Sequence, residues 1–168
     1  CSSALFTVLG SEIDRARRQN HPLSMVLYDT DGFKSFNDRH GHLAGDGILR
    51  RIGGLIKEKI RSNVDKGFRY GGDEFTIILP DTPLVGAQML ADKLRKTVGA
   101  QRIVKKGAEN KTEQGVITLS MGVTDLSPGE PIEQFLGRAD QLLYNAKKFG
   151  RNRVVAETAP KASQGEVA

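Results

Sequence analysis

The sequence predicts an α+β domain, a sheet packed on one face or both by helices, and three observations carry that reading. Short apolar runs are interspersed with longer segments whose apolar residues recur at helical spacing. The order is mixed, with two strand-like runs meeting around a central double glycine, Gly71-Gly72. At 168 residues, with 38% hydrophobic and 27% charged side chains, the chain has the size and balance of one domain with a real core.

The elements follow in order. Leu5, Phe6, Leu9, Ile13 and Ala16 stripe an opening helix. Leu23 to Tyr28 is a short apolar run and therefore a buried strand. Phe33 to Arg39 makes a short helix, and Leu43 to Ile60 a longer one through Ile48, Leu49, Ile52, Leu55, Ile56 and Ile60. Strands near Gly67–Tyr70 and Phe75–Leu79 flank the double glycine as a hairpin. Thr82 and Pro83 supply an N-cap and a first-turn proline for a helix through Leu90, Leu94 and Val98.

Gln101 to Val104 and Val116 to Thr124 read as strands separated by a polar loop, Lys105–Gly115. Ile132 to Phe149 is helical, with Ile132, Phe135, Leu136, Ala139, Leu142, Leu143 and Ala146 on its apolar stripe and Gly150 just past its end. Arg153 to Ala156 adds an edge strand. Residues 1–156 are thus expected to form the domain, and residues 157–168, small and polar, a disordered tail. The chain starts at Cys1 without an initiator methionine and reads as a piece of something longer.

Composition excludes several classes. No apolar run approaches the ~20 residues of a membrane span, and no signal-peptide pattern opens the chain. A lone cysteine leaves no internal disulfide framework, so a cytoplasmic setting is expected, although the parent protein is free to be membrane-attached. The net charge of +5 suits an anionic partner. The basic residues are scattered, however, and the 6% aromatics do not alternate with them, which argues against nucleic acid.

Gly71-Gly72-Asp73-Glu74-Phe75 is the most informative stretch. Two residues without a Cβ let the backbone turn tightly and approach a ligand, and two carboxylates follow at the start of an apolar strand. That arrangement suits a metal-bound nucleotide phosphate; alone, it equally suits an acidic hairpin turn. The first strand runs into Asp29-Thr30-Asp31-Gly32-Phe33-Lys34. If the hairpin pairs beside it, Asp29 and Asp73 converge on one hard cation, with the Thr30 carbonyl as a third oxygen, a set that suits Mg²⁺. An EF-hand loop starting at Asp29 is excluded, because Lys34 and His40 stand where Gly and Glu are needed.

Asp31 stands where a helix N-cap belongs. The N–H groups of Gly32, Phe33 and Lys34 then form a helix N-terminus, a ready phosphate site. Lys147 and Arg151, around the end of the last helix, either complement its dipole or clamp phosphates. Asn37 and Asp46 have the groups to read guanine, or are a cap and a surface residue. His42 is a helix-start residue or a ligand contact.

Together these stretches resemble the GGDEF domain family, the diguanylate cyclases. The matching segments are Leu27 to Asp38, Gly41 to Asp46, Arg69 to Phe75, Leu119 to Val123, Ala139 to Lys147 and Gly150 to Arg153, in family order over about residues 5–156. The resemblance implies a fold like the nucleotide-cyclase and polymerase palms, a ferredoxin-like central antiparallel sheet flanked by helices with the hairpin at the active site. It implies condensation of two GTP into cyclic di-GMP and two pyrophosphates across a homodimer, and an upstream sensory domain in the parent protein. The implied metal is Mg²⁺, with Mn²⁺ a substitute.

By position, Asp29, Asp73 and the Thr30 carbonyl look like the metal ligands, and Asp73, Glu74 and Lys34 like the catalytic residues. Asn37, His42, Asp46, Gly32, Phe33, Lys147 and Arg151 look like substrate contacts, with Asn37 and Asp46 on the base. A GTP- or cyclic di-GMP-binding module without turnover is the alternative. Two departures stand out. An inhibitory Arg-x-x-Asp product site keeps Asp65 but has Ser62 where Arg is expected, and the family's Thr-Gly-Leu-x-Asn-Arg lead-in is missing before Leu5.

Overall fold

A computed structural model describes residues 2–106 and 112–157. The elements are α1 (Ser2–Gln19), β1 (Leu23–Thr30), α2 (Phe33–His40), α3 (His42–Lys59), β2 (Lys66–Gly71), β3 (Glu74–Pro80), α4 (Leu84–Gly99), β4 (Arg102–Lys106), β5 (Thr112–Val116), β6 (Leu119–Asp125), α5 (Ile132–Lys148) and β7 (Arg153–Glu157). Five strands form the main sheet in the order β2-β3-β1-β6-β7. All neighbours are antiparallel except β6 and β7, which are parallel. The sheet is therefore mixed, because the chain leaves β6 through a helical crossover, and such a crossover returns a strand in parallel.

β1 is buried along its whole length because it lies in the middle of a sheet covered on both faces. Its alternate residues feed two cores. Val26 and Tyr28 join Ile77, Leu79, Met121 and Val123 against α3 and α4. Leu23, Met25 and Leu27 join Ile78 against α1 and α5, where Leu5, Leu9, Ile13, Phe135, Ala139 and Leu143 are buried. The expected apolar stripes of α1, α3 and α5 are the faces that fill these cores, apart from Phe6, which is 38% exposed.

Three expectations need correction. The stretch read as a single strand from Val116 to Thr124 is two, β5 and β6, and the expected polar loop contributes β5 to a separate β4–β5 hairpin; the loop's centre, residues 107–111, lies outside the described residues, as does the tail from 158 on. Thr82 does not cap α4: Pro83 holds that position, while the Thr82 hydroxyl donates to the Pro80 carbonyl. Asp31 does not cap α2, whose cap position is Gly32 at φ 70.

One glycine sets the distance between layers. A Cβ on Gly122, in β6, would come within 2.5 Å of the Ala139 carbonyl oxygen and the Leu143 nitrogen. Its absence lets α5 settle directly on the sheet, and this fixes what the last turn of that helix reaches.

Candidate functional site

The penultimate residue of β1 is Asp29, whose register partners are Glu74 on β3 and Ser120 on β6. Directly opposed residues of antiparallel strands project from the same face, so the three side chains share the α5 side of the sheet. Next to Glu74 the hairpin turns through Gly72 and Asp73, with Gly72 in the left-handed region at φ 39. Arg69 Nε donates to the Gly72 carbonyl at 2.8 Å, and the register slips between Arg69 and Gly71, a bulge that re-aims the tip. Asp73 is thereby brought against Asp29.

The last turn of α5 completes the corner. Lys147 lies one turn beyond Leu143, the residue seated on Gly122, and its ammonium pairs with Asp29 Oδ2. Asp29 is only 7% exposed. Burial, and next the adjoining Asp73 carboxyl, push its pKa from an ordinary 3.8 up to about 7, against the opposing pull of Lys147. Burial alone would lower Lys147; contact with Asp29 and the charges of Asp29, Glu74 and Asp73 outweigh it and raise the ammonium above its ordinary value.

Asp29 Oδ1 is buried and meets no hydrogen-bond donor among the described residues. Its carboxyl neighbour, Asp73, is also an acceptor, so the two satisfy each other only through a shared proton or a shared cation. Among the described residues no three His, Cys, Asp or Glu side chains gather as a metal cluster. Two adjoining carboxylates are a sparse donor set, and such a set suits a small hard cation that keeps water and substrate oxygens. The residues present fit a divalent metal.

Around this corner the other expected residues fall as follows. Thr30 closes β1 and is 2% exposed. Gly32 precedes α2, and Phe33 and Lys34 form its first turn, where N–H groups have no helical partners; Lys34 is exposed. Asn37 lies over Gly45: a Cβ there would stand 1.7 Å from Asn37 Oδ1, an oxygen that is buried without a donor among the described residues. His42 opens α3, with Asp46 one turn on, both exposed. Arg151 follows α5 with φ 62 and is exposed.

Sequence reasoning missed what Asp31 does. Its carboxylate accepts from Thr118 Oγ1 at 2.7 Å, Ser120 Oγ at 2.6 Å and the Asn152 N–H at 3.0 Å. The signal was not local, since these partners lie 87 or more residues away. Arg61 also has a structural part: its guanidinium binds Asp65, the Pro80 carbonyl and Thr82. A 540 Å³ cavity, lined by Tyr28, Ile56, Arg61, Phe68 and Phe75 among others, opens on the opposite face of the sheet from the carboxylates.

Residues 3–153 match the family described as "Diguanylate cyclase, GGDEF domain". The chain is 39% identical over 133 residues to diguanylate cyclase VdcA of Vibrio cholerae, covering 79% of this chain and 38% of that protein. It is 39% identical over 153 residues to response regulator PleD of Caulobacter vibrioides, covering 90% and 33%. The chain thus spans only about a third of the length of these relatives. Among solved structures, the GGDEF domain of DgcB from Caulobacter crescentus in complex with c-di-GMP superposes with a TM-score of 0.85 at 30% identity, covering 92% of this chain and 88% of that one. The active GGEEF domain of a diguanylate cyclase from Vibrio cholerae gives 0.77 at 34% identity, covering 89% and 92%.

Proposed function

Since the chain belongs to the diguanylate cyclase GGDEF domain family, we propose that it condenses two GTP molecules into cyclic di-GMP and two pyrophosphates. The observation that supports this most is the meeting of Asp29 and Asp73 beside Lys147 at the double-glycine hairpin. In each half-reaction the 3′-oxygen of one GTP bonds to the α-phosphorus of the other. The bond from that phosphorus to the pyrophosphate oxygen breaks, and the hydroxyl proton passes to a base.

Held by Asp29, Asp73 and the Thr30 carbonyl, Mg²⁺, or Mn²⁺ in its place, would neutralise phosphate charge and make the 3′-hydroxyl more acidic. Asp73 takes the proton, and Glu74, opposite Asp29, adds negative charge at the ribose or metal side. The N–H groups of Gly32, Phe33 and Lys34 cradle phosphate at the start of α2. Lys34, Lys147 and Arg151 offset the charge of the triphosphate, with Lys34 stabilising the transition state. Asn37 and Asp46 pair with the guanine edge, and His42 contacts substrate beside them. A base presenting the reversed hydrogen-bond pattern leaves those groups unpaired and is rejected.

Each domain holds one GTP, so two domains face each other in a homodimer and each supplies half of the site. Orientation of the two nucleotides is worth ~7–11 kcal/mol at best. The test is incubation of the protein with GTP and Mg²⁺ at high protein concentration, followed by separation of the nucleotides. Cyclic di-GMP is expected from the wild type and not from Asp73→Ala. GTP recovered unchanged from a dimeric wild type would instead identify a binding module without turnover.

A further inference from the structure

Beyond α5 the backbone takes three successive left-handed residues: Gly150 at φ 121, Arg151 at φ 62 and Asn152 at φ 45. Only the first is a glycine. Two side-chain-bearing residues in that region persist when the surroundings impose them. Here the ties are explicit. The Arg151 N–H donates to the Ala146 carbonyl at 3.0 Å, and the Arg151 carbonyl accepts from Arg153 Nε at 3.1 Å. The Asn152 N–H donates to Asp31 Oδ2 at 3.0 Å. From α4, Arg95 Nη1 donates to Asn152 Oδ1 at 3.0 Å.

Asp31 is the part of this clamp that stands beside the chemistry, two residues after Asp29 on the same strand exit. Both of its oxygens are engaged: Oδ1 accepts from Ser120, and Oδ2 from both Thr118 and Asn152, so three of its roughly four acceptor sites are taken. An acceptor so occupied is not offered to a metal or a substrate. What it does is tie the end of β1 to the turn that carries Arg151.

We propose that Asp31 is a positioning residue, whose carboxylate holds the left-handed Gly150–Asn152 turn so that the Arg151 guanidinium is presented to the terminal phosphates of the nucleotide bound at Asp29. This rests on the reading of Arg151 as a phosphate contact. Asp31 binds no metal in this role; it acts through Arg151.

The test compares GTP and GMP affinities, with KM and kcat, for wild type, Asp31→Ala, Asp31→Asn, Arg151→Ala and the Asp31→Ala/Arg151→Ala pair. Asp31→Ala should lose about tenfold in GTP affinity, the size of one charge-assisted hydrogen bond, with GMP affinity unchanged. KM should rise with kcat little altered. Asp31→Asn should recover most of the loss, because its amide oxygen still accepts from Asn152 while its NH₂ donates to Ser120. The pair should be no worse than Arg151→Ala alone, since both remove one interaction.

Equal losses for GTP and GMP, or additive losses in the pair, would overturn the proposal. So would a weakened Mn²⁺ affinity in Asp31→Ala, which would make Asp31 a ligand. Should Asp31→Ala not fold, Arg95→Met removes the other tie to Asn152 and is expected to lower GTP but not GMP affinity. Absence of cyclic di-GMP from a wild type that binds GTP would defeat the cyclase reading, and the affinity comparison would still decide this one.

Discussion

Replacing Asp73 by Asn is expected to stabilise the metal-free protein at pH 8 while ending catalysis. Folding moves the Asp29 pKa from 3.8 to about 7, with burial the larger cause and Asp73 the next. A carboxyl whose folded pKa lies above its unfolded one binds protons better in the native state. Its contribution to stability therefore falls as pH climbs from about 4 to about 7. At ~1.4 kcal/mol per pH unit the full loss is about 4 kcal/mol, as an upper bound. Burial persists in the variant, so roughly 1–2 kcal/mol should return, a rise of roughly 2–8 °C in Tm for a chain of this length. Thermal unfolding in EDTA, followed by circular dichroism at pH 5 and pH 8, reads the effect directly. At pH 5 Asp29 is protonated in both proteins and the difference should vanish. Millimolar Mg²⁺ at pH 8 should stabilise the wild type more than the variant. A variant less stable than wild type at pH 8 without metal would refute the contact between the two carboxylates.

Three further outcomes follow from the packing and the site. Glu130 is 4% exposed and takes both Nε and Nη2 of Arg138 at 2.7 and 2.8 Å; Arg138→Met should cost about 3–5 kcal/mol by urea unfolding, leaving a buried carboxylate unpaired. Gly122→Ala forces a Cβ to 2.5 Å from α5 backbone and should cost about 1–3 kcal/mol, with Mg²⁺ affinity reduced as Lys147 and α5 are lifted from Asp29. Asp46→Ser should relax base choice, so that competition between GTP and ATP narrows; an unchanged preference for GTP would show that the base is read elsewhere.

The sheet was legible because local pattern and fold agree in it. The short, largely apolar run ending at Tyr28 reads as a buried strand, and the double glycine as a tight turn between two strands. The helical stripes of α3 and α5 fell on the buried faces for the same reason. The pairing of β4 with β5 was not legible, since Lys105, Lys106 and Thr112 to Gly115 show no alternation of apolar and polar residues. The site was legible as residue types and not as contacts. Nothing in the neighbourhood of Lys147 distinguishes a helix-dipole partner from one that reaches Asp29, 118 residues away, until Gly122 sets the height of α5. Asp31 had the sequence context of an N-cap, but Gly32 takes the cap position and frees its carboxylate for Thr118, Ser120 and Asn152.

The most direct measurement is a crystal of the protein soaked in Mn²⁺ and GTP, with anomalous scattering recorded at the manganese edge. A peak lying between the carboxylates of Asp29 and Asp73, within about 2.0–2.3 Å of an oxygen of each, is the predicted result. A peak bound to nucleotide phosphate alone, with either carboxylate turned away, would contradict it.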